Sequence, residues 1–307
     1  MSPMQTAQTS FFERVPPSLS RLAIPLSRLA ALVGVIGVGL MLWRAGPVEV
    51  WHSAVGMGPL VILVILAPAG GLWLHSQGWR LLLPNGVRPG RGRSFALYLA
   101  SQAGDELGFG LLGEPIKVLT FPVPARSKAS DAMLADNAAQ LLALGICLGT
   151  LACWALPQTD GSLGLQILLC SLGVLAGGLL LLALVSLRRA FARQFGVRSF
   201  LASVFLHTLG KAWLLPELAL ALALVGELSP EAVLWLALAN LAGSVVGAPV
   251  PAQAGVLEGS ALLVAGPAGL SLPAVLAVLL VRRLRGAAWV TAGLVVAERI
   301  IHANGRA

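Results

Sequence analysis

The sequence is 307 residues long, 57% hydrophobic and only 11% charged, with a mean hydropathy of +0.85. A soluble domain of roughly 45–50% apolar content is excluded, and an integral membrane protein is expected instead. The formal net charge of +8 does not indicate nucleic-acid binding, because the basic residues gather in short loops between apolar segments and form no soluble basic domain.

Residues 1–23 are polar and read as a cytoplasmic N-terminal tail, followed by a membrane domain over 24–299 and a short cytoplasmic C-terminal tail over 300–307. The apolar stretch from Leu29 to Trp43 has no small-residue cleavage site behind it. It reads as a retained first helix with Arg28 snorkelling, not as a removed signal peptide. A second helix is expected near 58–77, and Arg80, Arg88, Arg91 and Arg93 follow it in a cytoplasmic loop.

The next stretch, GDELGFGLLGEPIKVLTF at 104–121, brings Asp105, Glu106, Glu114 and Lys117 into an otherwise apolar region. A full crossing over 94–121 would put Lys117, Arg126, Lys128 and the arginines of 188–198 on the outer side. A re-entrant hairpin, opened by Gly110, Gly113 and Pro115, avoids this. Gly108 to Gly113 also matches GxGxxG, but no strand precedes it, so the glycines read as a tight turn and close helix approach. Glu114 and Lys117, three residues apart on one helix face, are either an interfacial ion pair or a polar site at the hairpin tip.

Helices are expected near 135–157, 163–187 and 199–226, with Cys147, Cys153 and Cys170 as buried packing thiols. Loops bearing Asp160, then Glu227 and Glu231, fall on the outer side. Arg188, Arg189, Arg193 and Arg198 fall on the cytoplasmic side. His207 and Lys211 share a face and Pro216 kinks the helix before Glu217; these groups either line a hydrated path or sit near the interface. Over 244–264, Pro249, Pro251 and Gly255 break a helix that resumes near Val256, giving a second hairpin entering from the opposite face. Two such hairpins are the mark of an inverted repeat.

Glu258 stands in a long uncharged run, and its partner should come from VRRLR in the last segment, 271–297. Arg282 and Arg285 share a helix face there, with Arg283 about 100° away. Three arginines exceed what one ion pair with Glu258 needs. Because a guanidinium suits bidentate contact with phosphate, an anionic head group is a candidate ligand; internal pairing with Glu114 and Glu217 is the alternative. The four histidines show no ligand spacing and no nucleophile–base pair stands out, so neither metal, cofactor nor enzymatic activity is expected. The fold class expected is an all-α polytopic membrane protein of about six spanning helices plus two re-entrant hairpins.

QGWRLLL (77–83), LLGEPIKVLTF (111–121) with ADN (135–137), PVPAQAGVLEG (249–259) and VRRLRGAAW (281–289) follow one another in an order and spacing that resembles the membrane domain of lysylphosphatidylglycerol synthases and their stand-alone flippase-like relatives. The resemblance maps the family's polar-loop glutamates to Glu114 and Glu258 and its final-helix arginine to Arg282 or Arg283. Pro251-Ala252-Gln253 departs from the Pro-Gly pair often found in the second loop. Because the sequence ends soon after its last apolar segment, the membrane part without the aminoacyl-transfer domain is expected.

What the resemblance implies is binding and translocation of an anionic phospholipid, glycolipid or hopanoid-type lipid across a bacterial inner membrane, with both termini cytoplasmic. The alternative is an accessory subunit presenting a lipid to a separate synthase or glycosyltransferase. A lipid-synthesising enzyme encoded nearby is a candidate partner, nucleic acid is not, and the oligomeric state stays open. The candidate head-group residues are Glu114, Lys117, Glu258, Arg282, Arg283, Arg285, Asp105, Glu106, Lys211 and Glu217. An inverted repeat would bring Glu114 and Glu258 together with Arg282 or Arg283 between them. Glu114, Glu217 and Glu258 are the candidates for proton coupling.

Overall fold

A computed structural model of the chain describes residues 39, 43, 46–107, 113–158, 163–191, 196–248, 250, 253 and 255–304. Gly110, Pro249 and Pro251, most of the GxGxxG stretch and nearly all of the first apolar segment lie outside the described residues. Within them the fold is all-α, without a strand.

The helices are α1 (Pro47–Gly56), α2 (Val61–Leu66), α3 (Pro68–Leu82), α4 (Arg91–Leu107), α5 (Gly113–Leu119), α6 (Val123–Ala155), α7 (Leu163–Phe191), α8 (Val197–Ala212), α9 (Leu214–Leu224), α10 (Pro230–Val246), α11 (Val256–Leu263) and α12 (Leu272–Asn304). Proline begins several of them, at Pro47, Pro68 and Pro230, where its missing N–H costs no helical hydrogen bond. Ser229 adds a cap to α10, its Oγ accepting from Ala232 N at 3.0 Å.

Two stretches, Gly58–Leu82 and Val123–Gln158, are long and apolar enough to cross a membrane. The α10 helix is apolar but shorter, and α12, at 33 residues, carries three arginines in its first half. Between α2 and α3, Pro68 interrupts the backbone ladder. Two indoles bond carbonyls at the break: Trp289 Nε1 donates to Ile65 O and Trp213 Nε1 to Ala67 O, both at 2.7 Å.

Several boundaries differ from the sequence reading. The segment 117–130, expected as a cytoplasmic loop, is mostly helical, shared between α5 and the start of α6. The 199–226 helix is two helices parted at Trp213, because Pro216 cannot donate to Ala212 O. The last helix continues through Asn304, past the expected boundary at 299. Cys153 and Cys170 are exposed and only Cys147 is partly covered, which corrects the reading of all three as buried thiols. Apolar character places a residue in a helix of this kind but does not say which way it faces.

One pattern occurs twice. A 17-residue helix, a break, a helix of 7 residues and then one of 33 form α4, α5 and α6; helices of 17, 8 and 33 residues form α10, α11 and α12. Each long helix packs against its short partner, α4 on α5 and α10 on α11. The buried apolar side chains separate into two clusters. One includes Leu148, Leu218, Trp235 and Val275, the other Trp79, Leu97, Phe121 and Phe200.

Candidate functional site

The break between α10 and α11 leaves backbone groups without helical partners, and polar side chains converge on it. Gly255 adopts φ +78°, a left-handed conformation that a Cβ would strain, and so starts α11. Glu258, three residues on, turns its carboxylate back and accepts the Gly255 N–H on Oε2 at 2.9 Å. Its other oxygen accepts from Arg283 Nε on α12. Arg283 also donates through Nη2 to Gln253 O at 3.4 Å, so this ion pair ties the break to the last helix.

Arg285, two residues further, donates through Nη1 to Glu217 Oε2 on α9 at 2.6 Å. Arg282 differs from both. Its Nη1 and Nη2 face Asn240 on α10, at 3.1 and 2.7 Å from the amide oxygen when the amide is turned to accept them. Two arginines thus have carboxylate partners and the third has a neutral one.

A cavity of about 620 Å³ opens here. Arg282, Arg283 and Arg285 line it from α12, Asn240 and Ser244 from α10, and Gln253 and Glu258 from the break and α11. Glu106, exposed at the end of α4, forms part of its wall. It is therefore a space with three cationic side chains in its lining, of a size typical for a ligand site.

A second ionic group lies among α3, α5, α6 and α8. Lys117 Nζ on α5 is 2.7 Å from Glu114 Oε1 and 3.3 Å from Asp136 Oδ2 on α6. Asp136 Oδ1 accepts from His207 Nε2 on α8 at 2.8 Å, and Gln140 Nε2 donates to Asp136 Oδ2 at 2.9 Å. His207 Nδ1 then meets His75 Nδ1 of α3 at 2.7 Å. Lys117, Asp136 and His207 are 1%, 0% and 0% exposed, and the Lys117 ammonium sits 4.9 Å from the Tyr98 ring.

The residues singled out from the sequence therefore divide between two sites. Arg282, Arg283, Arg285, Glu258, Glu217 and Glu106 belong to the first. Glu114 and Lys117 belong to the second, where they form the ion pair three residues apart. Glu114 and Glu258 do not share a cluster: the expected meeting of the two carboxylates around an arginine is replaced by a lysine partner for one and an arginine for the other. Asp105 sits near the end of α4, Lys211 on α8 makes no ion pair among the described residues, and Gly113 and Pro115 lie in the first turn of α5.

His207 was singled out only beside Lys211, and neither Asp136 nor His75 was given a place in a site. The available signal was an ionisable side chain well inside each of three largely apolar helices. Among the described residues no three His, Cys, Asp or Glu side chains converge as a metal-ligand set.

Among the described residues, fold and sites together define an all-α protein with two stretches fit to cross a membrane, a cavity lined by Arg282, Arg283 and Arg285, and a largely buried ionic chain. Comparison with protein-family models, curated proteins and solved structures finds no match.

Proposed function

We propose that this is a multi-pass protein of a bacterial inner membrane that binds a lipid with an anionic head group beside Arg282 and moves it across the bilayer. The observation that carries the proposal is the unequal pairing of the three cavity arginines. Among the described residues, Arg283 and Arg285 are matched by Glu258 and Glu217, whereas Arg282 meets an amide oxygen and no carboxylate. A guanidinium so placed presents a planar fork to two phosphate oxygens, and a phosphate would supply the missing countercharge.

Three further features support the reading. Large apolar side chains face outward on several helices, among them Leu63, Leu66, Val174, Leu201 and Phe205, a surface suited to acyl chains. The repeated long–short–long helix pattern is what an inverted repeat with broken segments would give, and such repeats hold substrate where the backbone is broken. The resemblance to the flippase-like membrane domain falls on the same residues, Glu258, Arg282 and Arg283. On this reading the protein is a transporter and not an enzyme.

The test is transbilayer movement of fluorescent phosphatidylglycerol in proteoliposomes, read by quenching of the outer leaflet. Movement faster than in empty liposomes is expected, falling at least about tenfold in Arg282→Gln, the loss appropriate to a charge-assisted bidentate contact. Rates no faster than in empty liposomes, for several anionic head groups, would overturn transport and favour an accessory protein that presents a lipid.

A further inference from the structure

The chain from Glu114 to His75 is a connected run of ionisable groups, buried at its centre, that the cavity does not use, and its helices are shaped to hold it. Gly78 on α3 leaves room for His207, since a Cβ there would stand 2.9 Å from His207 Nε2. Gly210 on α8 does the same for His75, with a Cβ at 2.7 Å from His75 Cε1. Each imidazole thus lies over a glycine of the opposite helix, and the rings stack with centroids 5.0 Å apart. The facing Nδ1 atoms need one proton between them. With Asp136 accepting from His207 Nε2, the neutral pair uses its protons fully: His75 Nδ1–H donates to His207 Nδ1.

We propose that the His75–His207 pair is a proton-binding site, and that its occupancy is coupled to the arginine cavity through α4. The coupling rests on the head-group reading of that cavity; the proton site does not. Glu114 and Asp136 carry two negative charges and Lys117 one positive, so the directly connected groups hold one net negative charge. Proton transfer from hydronium to His75 Nε2 forms the N–H bond, breaks an O–H bond and releases water; the ring becomes a cation and the sum comes to zero.

The groups that act on the pair come from every packed element: Asp136 on α6, Lys117 on α5, Lys211 on α8 itself and the Tyr98 ring on α4. Glu114 and Asp105 stand one step further out beside Lys117 and Tyr98, and Cys147 beside Lys211. Burial opposes the imidazolium most, Lys211 and Lys117 oppose it further, and Asp136 favours it. His75 is only partly buried while His207 is fully so, which makes His75 the point of entry.

The route to the cavity is short in elements. Tyr98 on α4 stacks on His75 at 6.1 Å, and Glu106 at the end of the same helix lines the cavity. That helix presses on α12 so closely that a Cβ at Gly293 would stand 2.6 Å from Leu99 O. A change of charge against α4 therefore acts on an element shared with the arginine helix.

Two measurements test this. In the first, protein labelled with ¹⁵N-histidine in liposomes of phosphatidylcholine alone is titrated by solid-state NMR from pH 8 down to pH 4, because burial opposes the imidazolium. Uptake of about one proton by the coupled imidazoles is expected, absent in His75→Gln and in His207→Gln. Two imidazoles that stay neutral throughout would overturn the proposal without recourse to any variant. In the second, binding of fluorescent phosphatidylglycerol in nanodiscs is compared at pH 4.5 and 8. A change of about fivefold or more is expected in wild type and none in His75→Gln. Imidazoles that titrate while lipid affinity stays constant would overturn the coupling. Lipid binding indifferent to Arg282→Gln would instead remove the head-group reading, and the NMR result would still decide the proton site.

Discussion

Glu258 is the residue on which the second broken segment depends, because each of its oxygens satisfies a different donor, the Gly255 N–H and Arg283. Glutamine offers one acceptor oxygen and turns an amide toward the other donor. Replacing Glu258 by Gln is expected to destabilise the fold by about 1–2 kcal/mol, the lower range for a charged hydrogen bond because solvent reaches Arg283. Thermal unfolding in detergent checks this: the midpoint should fall by several degrees for Glu258→Gln and stay near wild type for Arg282→Gln, whose neutral partner can turn to water. An unchanged midpoint for Glu258→Gln would show that the carboxylate does not hold the break. The Glu258 partner was legible in the sequence because a lone charge in an uncharged run must find a counterion, and VRRLR was the nearest cluster. Asp136 with the two histidines was not, since the pairs are 71 and 132 residues apart and each residue alone resembles an isolated interfacial group.

At the level of elements, breaks were more legible than orientation. Pro216, and the Gly and Pro residues near 113 and 250, mark helix ends by removing a donor or permitting a turn, and the helices do end there. The start of α6 at Val123 was hidden because Lys117, Arg126 and Lys128 suggested a loop, although Pro122 and Pro124 bracket a helix start. Whether α4 and α5 return to the side they came from is an expectation of the charge distribution, and labelling tests it. Cysteines introduced at Arg126 and Asp160, in a chain lacking native thiols, are expected to react with an impermeant maleimide in intact cells at 160 only. Reaction at 126 would mean that the segment 94–121 crosses fully, and the hairpin reading would be lost.

Across the whole molecule, two copies of one helix pattern carry two different ionic sites. The second copy leaves a cavity with an arginine short of a carboxylate partner, while the first closes its charges into a hydrogen-bonded chain. That asymmetry was not readable from the sequence, where both copies show glycines and a glutamate, GLLGE at 110–114 and GVLE at 255–258. It is also what makes the division of labour proposed above possible, with head group at one break and proton beside the other. The most direct measurement of the central claim is photo-crosslinking in membranes with a phosphatidylglycerol analogue whose diazirine sits next to the phosphate, followed by mapping of the labelled peptides. Adducts are expected on α10 near Asn240 and on α12 between Leu279 and Thr291, lost in Arg282→Gln; adducts confined to outward-facing residues such as Val174 and Phe205, unchanged in that variant, would contradict a head-group site in the arginine cavity.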